Sequence, residues 1–297
     1  MRTYLECIPC FFRQLLESAR LVGASAYQQK KLIDGFCRVI PRLSLNDPPP
    51  KIACAAYGLI SRICGASDPY KAIKQKSNAF ALRLYPQLKA KVARAHDPLL
   101  EAVELAIAGN IIDFGVKNNV NVREELKKIL AQEKRAARKK TRFHYARFKR
   151  ALAKAKTILY LGDNCGETVF DRVLIEEIKK LYPDRIVHYA VKSGPVINDA
   201  LLEDARFCGL DSSARLIANG SRAPGTVLSL CSKEFKKLFR SADMVISKGQ
   251  GNFESLSDAR RAIFFLFMVK CPVVERQARC RMGDIVLLHC SGRKKNR

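Results

Sequence analysis

The chain has 297 residues, 48% of them hydrophobic, with 54 Lys and Arg against 28 Asp and Glu for a formal charge of +26. A chain this long buries a sizeable core without covalent staples, which excludes a disordered tail or a disulfide-held miniprotein and leaves one large or two modest domains. The eleven cysteines are odd in number and follow no framework spacing, as in a reducing cytoplasm.

The first half reads as helical, with long apolar periodicity and no convincing strand. Asp68-Pro69 and Asp97-Pro98 mark two helix starts, an acidic cap followed by proline, and Pro48-Pro49-Pro50 interrupts the pattern once. After residue 150 the pattern changes. Short apolar runs at Thr157 to Leu161, Arg185 to Val191, Ala214 to Ala218 and Asp243 to Ser247 each precede a helical stretch, the second of which is expected to open near Asn198. Ile263 to Val269 and Ile285 to Leu288 are further strand candidates. Strands alternating with helices predict an α/β parallel sheet covered on both faces. The expected division is 1–150 as a helical N-terminal domain and 151–297 as the α/β domain. No run is long enough to span a membrane, since Ile263 to Val269 ends at Lys270, and Glu6, Cys7 and Pro9 interrupt any leader-like apolar start.

Positive charge concentrates between Lys127 and Lys156, where thirteen Lys and Arg face the single carboxylate of Glu133. Such a run attracts polyanions, and the interleaved Phe143, Tyr145 and Phe148 could stack on bases. The plainer reading, which we favour, is a helix with a solvated basic face and Phe148 and Leu152 packed beneath it.

Three polar turns follow the strand-like runs: Gly162-Asp163-Asn164-Cys165-Gly166-Glu167, Ser193 to Asp199, and Lys248-Gly249-Gln250-Gly251-Asn252. Strand ends of open α/β sheets are where ligands bind. If the turns adjoin, Asp163, Asn164 and Asp199 form a partial shell of hard oxygen donors suited to Mg or Mn. Lys248 would add a cation for a phosphate, Gly249 and Gly251 would let backbone N–H groups approach it, Asn252 would donate, and Glu167 would serve proton transfer. Each piece has an ordinary alternative: Asp-Asn as a helix cap, Asp199 as the cap of a helix from Ala200, Lys-Gly as a plain turn.

The whole set resembles the metal-dependent damage-control phosphatase family, also called domain of unknown function 89. The matching segments are Glu6-Cys7-Ile8-Pro9-Cys10, Gly109 to Gly115, Gly162 to Asp171, Gly194 to Ala200, Ala242 to Glu254 and Lys270 to Val274, in that order along nearly the whole chain. The leading Cys-X-X-Cys is similar to the branch found largely in archaea and bacteria. The resemblance implies a Rossmann-like three-layer α/β/α domain joined to a helical N-terminal region, and hydrolysis of small phosphate monoesters such as sugar phosphates or damaged metabolites with a divalent cation (Mn, Mg, Co or Ni). It implies that Asp163, Asn164 and Asp199 hold the metal, with Asn110, Asp113, Glu167, Lys248, Gly249 and Asn252 lining the substrate pocket. The basic run departs from the family's more acidic composition there, and Cys165 stands where a smaller residue is expected.

Cys7 and Cys10 read either as soft-metal or redox ligands, with pKa lowered by a helix N-terminus and Cys271 as a third partner, or as buried thiols. His96, His144, His188 and His289 lie outside the polar turns, which weighs against a histidine-rich zinc hydrolase. A nucleotide-cofactor or methyl-donor enzyme is a rival, but Gly162 and Gly166 lack the intermediate glycine of a dinucleotide turn. A nucleic-acid-binding protein on an inactive enzyme scaffold is the other, carried by the basic run.

Overall fold

The computed structural model describes residues 1–109 and 142–292. Among these, α1 (Cys7–Leu21), α2 (Ala26–Val39), α3 (Pro49–Cys64), α4 (Lys71–Ala93) and α5 (Pro98–Ala108) form the helical first half. After the undescribed segment, α6 (Tyr145–Lys154) leads into β1 (Thr157–Leu161), α7 (Glu167–Leu181), β2 (Ile186–Val191), α8 (Leu202–Phe207) and β3 (Arg215–Ala218). Then follow α9 (Lys233–Ser241), β4 (Met244–Lys248), α10 (Gln250–Leu256), β5 (Ile263–Met268), α11 (Pro272–Ala278) and β6 (Ile285–Cys290).

The sheet runs β3-β2-β1-β4-β5-β6, parallel except for the antiparallel β5–β6 pair. Both faces are covered, and the period-two alternation of strands assigns each side chain to its layer. Ile158, Tyr160, Val187, Tyr189 and Ile246 join a core with α4, α5, α6 and α7. Leu159, Leu161, Val245, Phe265 and Phe267 face the other way, into a core with α9, α10 and α11. The result is the expected three-layer α/β/α arrangement. Helices α1, α2 and α3 pack a third core around Phe11, Leu15, Leu32 and Phe36.

Local chemistry explains the boundaries. Asp97 accepts a hydrogen bond from Leu100 N at 3.1 Å and Pro98 occupies the first turn of α5, so that helix starts as expected. Asp68 acts earlier than a cap: its carboxylate accepts from Tyr70 N, and α4 begins at Lys71. The helix expected near Asn198 begins instead at Leu202, where Asp204 accepts from Leu201 N at 2.9 Å. It cannot start sooner because the backbone of Asn198 to Ala200 is committed to the turn after β1. Helix α6 carries Phe148 and Leu152 fully buried, and the Tyr145 hydroxyl donates to Asp97 at 2.7 Å. The described aromatics of the basic run therefore face inward, and Arg147, Lys149 and Arg150 form the solvated side of α6. No described helix is long and apolar enough to cross a membrane.

Candidate active site

From β1 the chain moves outward to β2 and β3, then returns to place β4 on the other flank of β1. The loops leaving β1 and β4 diverge there and open a crevice at the strand ends. Backbone hydrogen bonds stitch the turn after β1 to the loop after β2: Cys165 N donates to Asn198 O at 2.8 Å, Ala200 N donates to Asp163 O at 2.9 Å, and Asn164 and Asp199 form an isolated antiparallel bridge. Two turns far apart in the sequence thus present Asp163, Asn164 and Asp199 together. Gly162 permits this geometry because a Cβ there would come within 2.5 Å of the Tyr189 hydroxyl oxygen.

The three side chains line one cleft of about 430 Å³ with Lys270, Gln250 and Tyr57. Asp163 and Asp199 are buried, and the Asn164 amide donates to Asp163 Oδ2 at 3.0 Å and to Glu167 Oε1 at 2.7 Å. Burial, then the nearby charges of Glu167 and Asp199, push the Asp163 carboxyl well above its ordinary range. Asp199 is also raised by burial, against the opposing pull of Lys192, whose Nζ lies 3.1 Å from Asp199 Oδ2. Four buried carboxylates, Asp163, Glu167, Asp171 and Asp199, thus gather around Lys192 and Lys248, with Lys270 on the cleft wall also acting on Asp163. The oxygen-rich donors suit a hard cation. They comprise two carboxylates and an amide; among the described residues no cluster of three His, Cys, Asp or Glu is arranged to hold a metal.

Lys248 sits beneath this floor and outside the cleft lining. Fully buried, it donates to Asp171 Oδ1 at 2.6 Å and to Glu167 Oε2 at 3.3 Å. Asp171 also accepts from the Tyr160 and Tyr189 hydroxyls at 2.7 and 2.9 Å. Burial opposes the charge of Lys248, but Asp171 and Glu167 more than offset it and raise its pKa. Glu167, expected in the pocket lining, is itself buried outside it, so Lys248 acts on the cleft through Glu167 and the Asn164 amide. The Asn252 amide is similarly spent, accepting from Thr226 N and Oγ1 and donating to Gly162 O and Lys248 O. It ties the ends of β1 and β4 together. Gly249 gives its N–H to Leu266 O, so its contribution is the missing side chain: its backbone is at φ 77°, ψ 159°, and a Cβ would overlap the Asp163 carboxylate.

Asn110 and Asp113 lie outside the described residues. Asp171, Lys192, Tyr160, Tyr189 and Asn78 were not anticipated. Asn78, from α4, accepts from Gly166 N at 2.8 Å and donates to Asp204 at 2.8 Å, anchoring the turn after β1 to the helical half. For Asp171 there was a signal, since it stands four residues after Glu167 on one helix face. Lys192 and Asn78 carried none.

Cys7, Cys10 and Cys271 all line the cleft, but among the described residues no three such side chains are placed to hold a metal. Burial raises the Cys7 and Cys10 thiols, contrary to the lowering expected from a helix N-terminus, and Cys271 caps α11 by accepting from Val274 N. Ile197 also lines the cleft, with the unusual φ of 36° for a β-branched residue. None of the four histidines lines the cleft.

Residues 3–286 match the family model of the damage-control phosphatase ARMT1-like domain. The chain is 33% identical to a damage-control phosphatase of Pyrococcus horikoshii over 97% of its own length and 98% of that protein, and 30% identical to one of Archaeoglobus fulgidus over 94% and 96%. An uncharacterized protein of Methanocaldococcus jannaschii is 34% identical over 95% and 94%. The crystal structure of a DUF89 family protein from Pyrococcus horikoshii superposes with a TM-score of 0.89 at 30% identity, covering 97% of this chain and 99% of that one. Full-length agreement in sequence and in fold places the chain in the damage-control phosphatase family.

Proposed function

We propose that this phosphatase hydrolyses small phosphate monoesters, such as sugar phosphates or damaged metabolites, with a divalent cation held by Asp163, Asn164 and Asp199. The observation that carries the reading is the convergence of two buried carboxylates and an amide, from separate strand ends, on one cleft. A bound Mg, Mn, Co or Ni ion would supply Lewis acidity and offset the charge of the phosphoryl group. Lys270 on the cleft wall supplies positive charge toward the phosphate. Glu167, buried behind the lining and held by the Asn164 amide and Lys248, would accept the proton of an attacking water admitted beside Asn164. Lys248 and the two tyrosines keep Asp171 in place, which in turn fixes the height of Lys248 under Glu167.

Asn110 and Asp113 complete this reading as substrate contacts from the helical half, with domains divided at about residue 150. Reduced thiols at all eleven cysteines fit a cytoplasmic setting. The decisive experiment measures phosphate release from para-nitrophenyl phosphate with Mg, Mn, Co and Ni, alongside Asp163→Ala and Asp199→Ala. Activity should require the cation and collapse in both variants while their circular dichroism stays native. Undiminished turnover in chelator, or in either variant, would end the proposal.

A further inference from the structure

Behind the cleft lies a second chamber of about 350 Å³. It shares two lining residues with the cleft, Tyr57 and Ile197, which stand as the partition between the two spaces. The chamber is lined mainly by apolar and hydroxyl-bearing residues, among them Tyr70, Ser67 and Ser221, and its one charged lining residue among those described is Arg222. Arg222 is exposed, in the loop that follows β3. Its side chain crosses Gly194, where a Cβ would come within 2.5 Å of the guanidinium Nε. Gly194 belongs to the same loop after β2 that carries Ile197 and Asp199. A single loop therefore touches the candidate cation site, the partition and the arginine.

We propose that this chamber receives the far end of the substrate and that Arg222 selects esters whose far end carries a second anionic group. The inference deepens the phosphatase reading above and rests on it for the orientation of the ligand. Each space is of small-ligand size, and because they share Tyr57 and Ile197 a substrate with two ends can occupy both. A guanidinium presents a planar fork of donors that matches a carboxylate or a phosphate, whereas a neutral sugar tail offers it only uncharged hydroxyl acceptors and weaker bonds. Tyr57 and Ile197 line both spaces, so the tail would pass between them to reach Arg222.

The test is calorimetric titration of a hexose bisphosphate, a phosphorylated sugar acid and a neutral hexose monophosphate into wild type, Arg222→Ala and Arg222→Glu, with and without Mg. Wild type should bind at least one dianionic-ended probe about tenfold more tightly than the monophosphate, as a charge-assisted contact supplies. Arg222→Ala should remove that preference, and Arg222→Glu should reverse it, while para-nitrophenyl phosphate hydrolysis stays unchanged. Preference for the bisphosphate alone assigns a phosphate as the tail, and preference for the sugar acid assigns a carboxylate. Equal binding of all three probes by wild type, no binding of any, or parallel losses for all three in Arg222→Ala would overturn the proposal. If the preference holds but no ester is hydrolysed with any cation, the phosphatase reading falls and the anion-selecting chamber stands.

Discussion

Gly249→Ala attacks the site through the backbone rather than through a ligand. With φ 77° and ψ 159°, Gly249 occupies a region open essentially to glycine, and forcing an L-residue there costs about 1–3 kcal/mol. The added Cβ would also overlap the Asp163 carboxylate. Relieving that overlap adds about 1–3 kcal/mol of packing strain, giving a combined loss of about 2–6 kcal/mol. Because Gly249 N–H is bonded to Leu266 O in the sheet, the backbone resists moving and Asp163 must yield instead. A shift of about 1 Å in a cation ligand lowers turnover by about 100-fold. Urea unfolding gives the first quantity and the kcat/KM for para-nitrophenyl phosphate the second. Gly58→Ala is the control: it sits inside α3 with open space where a Cβ would project, and should gain up to about 1 kcal/mol. A Gly249→Ala protein within about 0.5 kcal/mol of wild type and with native kcat/KM would refute this account of the crevice.

Lys248→Met leaves Asp171 and Glu167 buried without their cation, and should cost about 3–5 kcal/mol in urea unfolding. Adding Asp171→Asn to it should recover part of the loss; a single-variant cost below about 1 kcal/mol would contradict the buried pair. Glu254 has its pKa raised by burial to about 7, against about 4.3 in an unfolded chain. Its folded pKa is the higher one, so its contribution to stability is greatest below about pH 4, falls as pH rises between the two values, and is flat above about 7. The total is at most about 4 kcal/mol, and Glu254→Gln should remove that slope in unfolding curves taken from about pH 4.5 to 8. An unchanged slope would show that the carboxyl is solvated. In filter binding to single-stranded DNA, neutralising Arg147 and Arg150 on α6 should change retention little at about 150 mM salt, since the aromatics that would stack on bases face the core.

Much of the fold was legible because a buried parallel strand and an amphipathic helix each write a period into the sequence. The β1 turn with Asp163 and Asn164, the Asp97 cap of α5 and the paired faces of Ile158/Tyr160 and Leu159/Leu161 all follow from local pattern. The start of α8 did not, because non-local bonds from Asn198 and Ala200 to the β1 turn override helix propensity there. The thiols of Cys7 and Cys10 depart from expectation for the same reason: burial under the packed helices outweighs the helix terminus.

By itself the sequence determined which strand ends carry polar turns, and hence that Asp163, Asn164 and Asp199 were candidates for one site. Tertiary structure alone decided that Lys248 lies under the floor on Asp171, that Lys192 answers Asp199, and that Asn252 serves as a tie between β1 and β4. The physical reason is range. Periodicity and turn chemistry are set by neighbours a few residues away, whereas the partner of a buried charge is chosen by whichever distant segment the fold brings within about 3 Å.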